Sequence, residues 1–147
     1  MDSTYECSLD KGPFASCTNP WTGSLGHGKH TFQVRAIDRA GNKDKTVANA
    51  KPWTVDLIPP DTTIKVKPAN PTTNPKATFK YRFTFTSTEP RSTFQCSLDG
   101  AEFALCKSGQ SYTGLSAGPH NFRVKAIDAA GNIDLTTASH DWEIIQP

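Results

Sequence analysis

Between Thr78 and Thr86 the chain alternates strictly, with Phe79, Tyr81, Phe83 and Phe85 on one face and Thr78, Lys80, Arg82, Thr84 and Thr86 on the other. Side chains two apart share a face only in an extended strand, so this segment predicts a half-buried antiparallel strand. Phe122, Val124 and Ala126 repeat the pattern against Arg123 and Lys125, as Phe32, Val34 and Ala36 do against Gln33 and Arg35. Nowhere does a helical period survive for three turns. Prolines and glycines punctuate the chain at spacings of about 8–12 residues, which suits an all-β sandwich. In the second half the predicted strands are Thr63–Lys67, Ala77–Ser87, Thr93–Leu98, Phe103–Cys106, Ser111–Leu115, His120–Asp128 and Thr136–Ile145. Seven short strands in about 90 residues are the pattern of an immunoglobulin-like module.

The chain also repeats itself. STYECSLDKGPFASC, from Ser3, returns as STFQCSLDGAEFALC from Ser92, and HTFQVRAIDRAGNKD, from His30, returns as HNFRVKAIDAAGNID from His120. The offset is 89 residues at Cys7/Cys96, Cys17/Cys106 and Trp53/Trp142, and 90 through Phe32/Phe122 and Asn42/Asn132. One folded unit has been duplicated, and a catalytic centre rarely needs two tandem copies of itself. The copies are unequal: residues 57–91 precede the second, whereas only Met1 and Asp2 precede Ser3. The expected organisation is an incomplete immunoglobulin-like module over 1–56, lacking its N-terminal strands, and a complete one over 57–147.

Composition narrows the function classes. The net charge of the 147 residues is +2, with basic residues scattered rather than clustered, which argues against nucleic acid and strong membrane-surface binding. No apolar run approaches the roughly 20 residues of a spanning helix, and the N-terminus lacks a charged-then-apolar leader pattern. The four cysteines form two C-x9-C pairs, one per module. Of the three possible connectivities, the repeat favours Cys7–Cys17 and Cys96–Cys106, with free thiols or a zinc site as the alternatives. Disulfides persist outside the reducing cytosol, so an extracellular or cell-surface setting is expected.

CSLDG, a phenylalanine, a second cysteine, a YTGL turn, then G-P-H-x-F-x-V-x-A-x-D-x-A-G-N-x-D, a tryptophan strand and a VD-x-x-PPDTTI linker together cover almost the whole chain. They run through Cys96, Ser97, Leu98, Asp99, Gly100, Phe103, Cys106, Tyr112, Gly114, His120, Phe122, Asp128, Gly131, Asn132, Asp134 and Trp142. In these motifs the chain resembles the tandem immunoglobulin-like repeats of large secreted or surface-attached bacterial proteins. The resemblance implies a stalk, an adhesive surface or an assembly role, and says little of ligands. The first module departs from it at Lys11, which replaces the glycine after the turn aspartate, and in the longer loop from Trp21 to Gly28.

No nucleophile elbow, phosphate loop or metalloprotease motif is present, and no histidine spacing suggests a His–carboxylate set recurring in both copies. An enzyme is not expected. A recurring polar set is Asp38, Asn42 and Asp44 in one copy and Asp128, Asn132 and Asp134 in the other, read either as a capped hairpin turn or as part of a calcium site. In the calcium reading Asp56 and Asp61 of the linker join Asp128 and Asp134, with Glu89 nearby. Pro59 and Pro60 favour an extended, semi-rigid connection. Trp53 and Trp142 read as core. Trp21, in a Pro-Trp-Thr-Gly loop, and Tyr112 are candidate contacts for a sugar or protein, or rings packed on their own modules. Three readings follow: a non-enzymatic structural module of an extracellular stalk or adhesin; a filament protomer whose incomplete module receives strands from a neighbour; and a carbohydrate-binding accessory module. The partners implied are neighbouring immunoglobulin-like modules or copies of the chain itself, with a host-surface or glycan ligand as a further possibility.

Overall fold

A computed structural model describes residues 2–73 and 78–146. The chain separates into two compact units, Met1–Leu57 and Ile58–Pro147, so the boundary falls one residue beyond the expected one.

Unit 1 is built from β1 (Thr4–Leu9), β2 (Ala15–Cys17), β3 (Gly28–His30), β4 (Phe32–Ile37), β5 (Ala48–Asn49) and β6 (Trp53–Val55). They form a four-stranded sheet in the order β2-β1-β4-β5 and a two-stranded ladder of β3 with β6. The Ala50-Lys51-Pro52 step separates β5 from β6, and Pro52 has no N–H to give a ladder.

Unit 2 contains β7 (Thr62–Val66), β8 (Thr72–Thr73), β9 (Tyr81–Ser87), β10 (Thr93–Leu98), β11 (Ala104–Cys106), β12 (Gln110–Tyr112), β13 (Gly118–Ile127) and β14 (Ala138–Ile145). One sheet runs β11-β10-β13-β14-β8 and the other β12-β9-β7, giving the two layers of a sandwich. Every expected strand is present, with ends shifted by a few residues. The largest shift is at β9, which starts at Tyr81 rather than Ala77; Ala77 lies outside the described residues, and Phe79 is exposed ahead of the strand. Strand β8, which pairs in parallel with β14 through Ile144 and Ile145, was not anticipated. Two threonines beside a proline carry no period to read.

The alternation seen in the sequence places the core. Tyr81, Phe83 and Phe85 of β9 face Phe122 and Val124 of β13, Cys96 of β10, and Trp142 and Ile144 of β14, all nearly inaccessible to solvent. Phe83 stacks on Phe122 with centroids 3.9 Å apart, while Phe85 meets Phe94 edge-on at 4.8 Å. Fully burying such side chains is worth about 1.5–3 kcal/mol each. Apart from Cys7, every buried hydrophobic residue described belongs to unit 2. Unit 1 repeats the β10-β13-β14 layer and has no counterpart of β7 and β9. The outer faces are alike: Arg35 lies over the Phe14 ring at 4.1 Å, and Lys125 over the corresponding Phe103 at 4.3 Å.

The first hairpin of each unit turns the same way. Asp10 and Lys11 have φ of 52° and 62°, Asp99 and Gly100 of 52° and 76°, and in each turn the fourth residue's N–H bonds to the first residue's carbonyl (Gly12 to Leu9, 2.9 Å; Ala101 to Leu98, 3.1 Å). Two consecutive left-handed residues make a type I′ turn, whose twist matches the flanking strands. Lys11 therefore keeps the turn type and bears the left-handed strain that Gly100 avoids. We expect Lys11→Gly to stabilise unit 1 by about 1 kcal/mol and Gly100→Lys to destabilise unit 2 by about as much. Denaturant unfolding of each variant checks both signs, and no change in either would contradict the strain assignment.

Candidate functional site

One polar constellation recurs in both units in the same geometry. It starts at the type I′ turn, where the aspartate reaches across to the strand that follows. Asp10 Oδ1 accepts the Thr31 N–H at 2.8 Å, and Asp99 Oδ1 accepts the Asn121 N–H at 2.8 Å. The second carboxylate oxygen meets a histidine: Oδ2 of Asp10 lies 2.8 Å from His30 Nδ1, and Oδ2 of Asp99 lies 2.8 Å from His120 Nδ1. The other ring nitrogen is bound as well, Nε2 of His30 to the Gly26 carbonyl and Nε2 of His120 to the Ser116 carbonyl, each at 2.8 Å. Each ring also leans on the tryptophan of the last strand, with centroids 6.0 Å apart for His30 and Trp53 and 5.4 Å for His120 and Trp142.

Carboxylates and carbonyls only accept, so both ring nitrogens of each histidine must donate. The geometry therefore suits the imidazolium form of both histidines, whose side chains are only 11% and 7% exposed. The hydrogen bond to Gly26, reinforced by Asp10, raises the His30 pKa above its ordinary value. Burial pulls that of His120 down, but the bonds to Ser116 and Asp99 outweigh it, and the net direction is upward. Asp10 is held below the usual carboxylate range by the Thr31 N–H and by His30. Spacing alone hid these pairs: Asp10 and His30 stand 20 residues apart and Asp99 and His120 stand 21 apart, and only the folded hairpin joins them. The expectation that no His–carboxylate set recurs is therefore overturned.

The pairs do not make a hydrolase. A Ser–His–Asp relay needs the histidine Nε2 free to take the serine proton. Here that nitrogen is bound to a carbonyl, and the nearby Ser8 and Ser97 hydroxyls donate to the carbonyls of Gly12 and Ala101, both at 2.6 Å. The residues clamp a hairpin. In unit 2 the clamp borders an open cleft of about 610 Å³, lined by Asn70, Asp99, His120, Asn121, Asp141 and Glu143 among others.

Both expected disulfides are formed, Cys7–Cys17 and Cys96–Cys106, each joining adjacent strands. Asp38 and Asp128 cap hairpins: Oδ1 of each accepts the N–H of Asn42 or Asn132, and Oδ2 accepts that asparagine's Nδ2, all at 2.9 Å. Asn42 side-chain and backbone bonds hold Asp38 below the usual range, and Asn132 and neighbouring amides do so for Asp128 against the opposing effect of burial. This is the turn reading of the recurring set.

The candidate calcium ligands make polar contacts of their own. Asp134 Oδ2 accepts the Thr62 hydroxyl at 2.6 Å and its Oδ1 accepts the Thr136 N–H at 2.8 Å; Asp61 lies at 3.5 Å from the Thr136 hydroxyl. Asp56 belongs to the other unit, 3.4 Å from His27, and Glu89 donates its own N–H to Ser87. Among the described residues no group of three or more His, Cys, Asp or Glu is placed to hold a metal ion.

The two aromatic candidates, both partly exposed, also touch rings of their own units. Trp21 lies 5.2 Å from Phe32, and a Cβ at Gly23 would meet its ring at 2.8 Å, so that glycine makes room for the fold-back. Tyr112 sits edge-on to Phe83 and Phe122 at 6.2 and 6.0 Å, and burial raises its pKa. No described helix is long and apolar enough to cross a membrane.

No protein-family model matches the chain, and no curated protein matches it. Among solved structures, those of Clostridium thermocellum CbhA fibronectin(III)-like modules are similar, with 16% identity, a TM-score of 0.51, and coverage of 97% of this chain and 78% of that one. At that identity the likeness shows the fold alone, an all-β, immunoglobulin-like sandwich.

The clamps have a pH signature. Histidines with raised folded pKa contribute stability that is complete below about pH 6.5 and lost as pH rises through the folded value. Asp10, Asp38 and Asp128, and Glu6 paired with Arg35 at 2.6 Å, are held low and contribute above about pH 4, losing it as pH falls. His140, whose pKa burial lowers against the Pro68 carbonyl bond, acts in the opposite sense to the clamps. The informative quantity is therefore a difference. We expect melting temperature to decline above about pH 6.5 more steeply in the native chain than in His30→Gln/His120→Gln. Superimposable alkaline limbs would contradict the imidazolium assignment.

Proposed function

We propose that this chain is a non-enzymatic structural repeat: tandem immunoglobulin-like modules of an extracellular or cell-surface array, serving as a stalk or as the scaffold of an adhesin. The observation that carries the reading is what the duplication preserved. The residues common to both units are the Cys–Cys staple, the type I′ turn, the Asp–His clamp, the Asp–Asn cap and the sheet-facing aromatics, all of which hold strands together. The paired disulfides support a compartment where thiols stay oxidised. The likeness to fibronectin(III)-like modules supports the scaffold role as a reading by fold.

A load-bearing module should resist extension. With the chain tethered at its two ends, we expect unit 2 to rupture in one cooperative event. Reduction of Cys96–Cys106 should add roughly 30 Å to its extension, because the staple hides a loop of about ten residues at ~3.3–3.6 Å each. Gradual extension without a rupture event would contradict the structural role.

A further inference from the structure

The outer face of the five-stranded sheet in unit 2 carries opposite charges at opposite corners. Side chains alternate along a strand, so β13 and β14, which bury Phe122, Val124, Trp142 and Ile144, turn Arg123, Lys125, Asp141, Glu143 and Ile145 outward. The register sets their neighbours. Leu105 of β11 lies opposite Gln95 of β10, which lies opposite Lys125; further along β13, Asn121 lies opposite Asp141 and Pro119 opposite Glu143. One corner thus holds Leu105, Lys125 and Arg123, with the two cations 4.3 and 5.7 Å from the centre of the Phe103 ring. The diagonal corner holds Asp141, Glu143 and Ile145, and its two carboxylates line the cleft of about 610 Å³.

These charges are not answered within the unit. Arg123 donates to the Thr137 hydroxyl at 2.9 Å and Lys125 covers the Phe103 ring, but among the described residues neither forms an ion pair. Asp141 accepts the Asn121 Nδ2 at 2.6 Å, and the Glu143 carboxylate has no partner among the described residues. Unit 1 handles the same face differently. Glu6 holds Arg35 at 2.6 Å and Lys43 at 3.3 Å, and Gln95 stands in its place in unit 2. Pro52, Thr54, Asp56 and Ser16 occupy the positions of Asp141, Glu143, Ile145 and Leu105. The bipolar pattern is therefore not a demand of the fold.

We infer that this face pairs with the same face of a second copy of the chain, about a two-fold axis that lies between the two sheets and crosses near Arg123 and Asn121. Such an axis, perpendicular to the charged diagonal, brings each corner onto its opposite. Arg123 and Lys125 of one copy enter the cleft against Asp141 and Glu143 of the other, while Leu105, 77% exposed, meets Ile145, 43% exposed. A two-fold along the diagonal would set like charges together, so charge fixes the orientation. An anionic polymer would answer one corner and leave the other; a second copy answers both. The patch spans about 15 by 25 Å, from strand spacing and rise per residue, which is small for a specific interface. The pairing is consequently weak and salt-sensitive. It is independent of the scaffold reading, to which it adds lateral pairing of modules.

Sedimentation of the full chain from about 1 μM to 1 mM tests the inference. The expected result is a monomer–dimer equilibrium that weakens roughly tenfold or more between about 50 and 500 mM salt. Arg123→Glu/Lys125→Glu and Asp141→Lys/Glu143→Lys should each be monomeric alone, and an equimolar mixture of the two should form 1:1 dimers. Recovery on mixing also shows that neither variant lost association by misfolding. A native chain that stays monomeric throughout would overturn the inference. A dimer that both charge reversals leave intact would assign the contact to another surface and overturn it as well. Association lost in both variants and not recovered in the mixture, with the far-UV circular dichroism of the native chain retained, would contradict the paired-corner arrangement.

Discussion

Phe83 lies flat on Phe122, and the rest of unit 2 is arranged so that this contact is dry. A sheet that carries an apolar face must cover it, because each large side chain returned to water forfeits about 1.5–3 kcal/mol. Three alternate aromatics on β9 meet that demand in a single strand, and β7 and β12 flank it on either side. The Thr62 hydroxyl then joins the layers at a point where a buried amide and a buried carboxylate would otherwise lose their partners. Unit 1 holds the same sheet and the same receiving groups. Its hydrophobic residues are correspondingly half-exposed, and Trp21 folds back over Phe32 as a local cover.

The hairpin clamps answer a different problem. A type I′ turn fixes two adjacent strands, and the aspartate at its first central position extends the hold to a third by way of a backbone N–H and an imidazolium. A staple of two cysteines secures the other side of the same hairpin. Closing such a loop is worth roughly 2–3 kcal/mol in the chain-entropy model, a large share for a small domain. The duplication retained each of these devices while tolerating Lys11 in the turn, Pro52 in the last strand and the longer Trp21 loop.

Much of the architecture was legible because it rests on local rules. Period-two alternation placed β4, β9 and β13, the repeat gave the disulfide pairing, and Asp99-Gly100 marked its turn. What stayed hidden depends on partners distant in sequence. The His–Asp clamps span a hairpin and a strand, and Thr62 meets Asp134 from 72 residues away.

The central claim is that the covering pair β7 and β9, more than the sheet it covers, makes this module stable. Hydrogen exchange of backbone amides along β4 and β13 of the same chain tests it directly, since both strands share sequence pattern, staple and clamp. The account predicts that β13 amides exchange only when unit 2 unfolds as a whole and that β4 amides exchange roughly a hundredfold faster or more. Equal protection of the two strands would contradict it, and would mean that the single layer of unit 1 is stable without a cover.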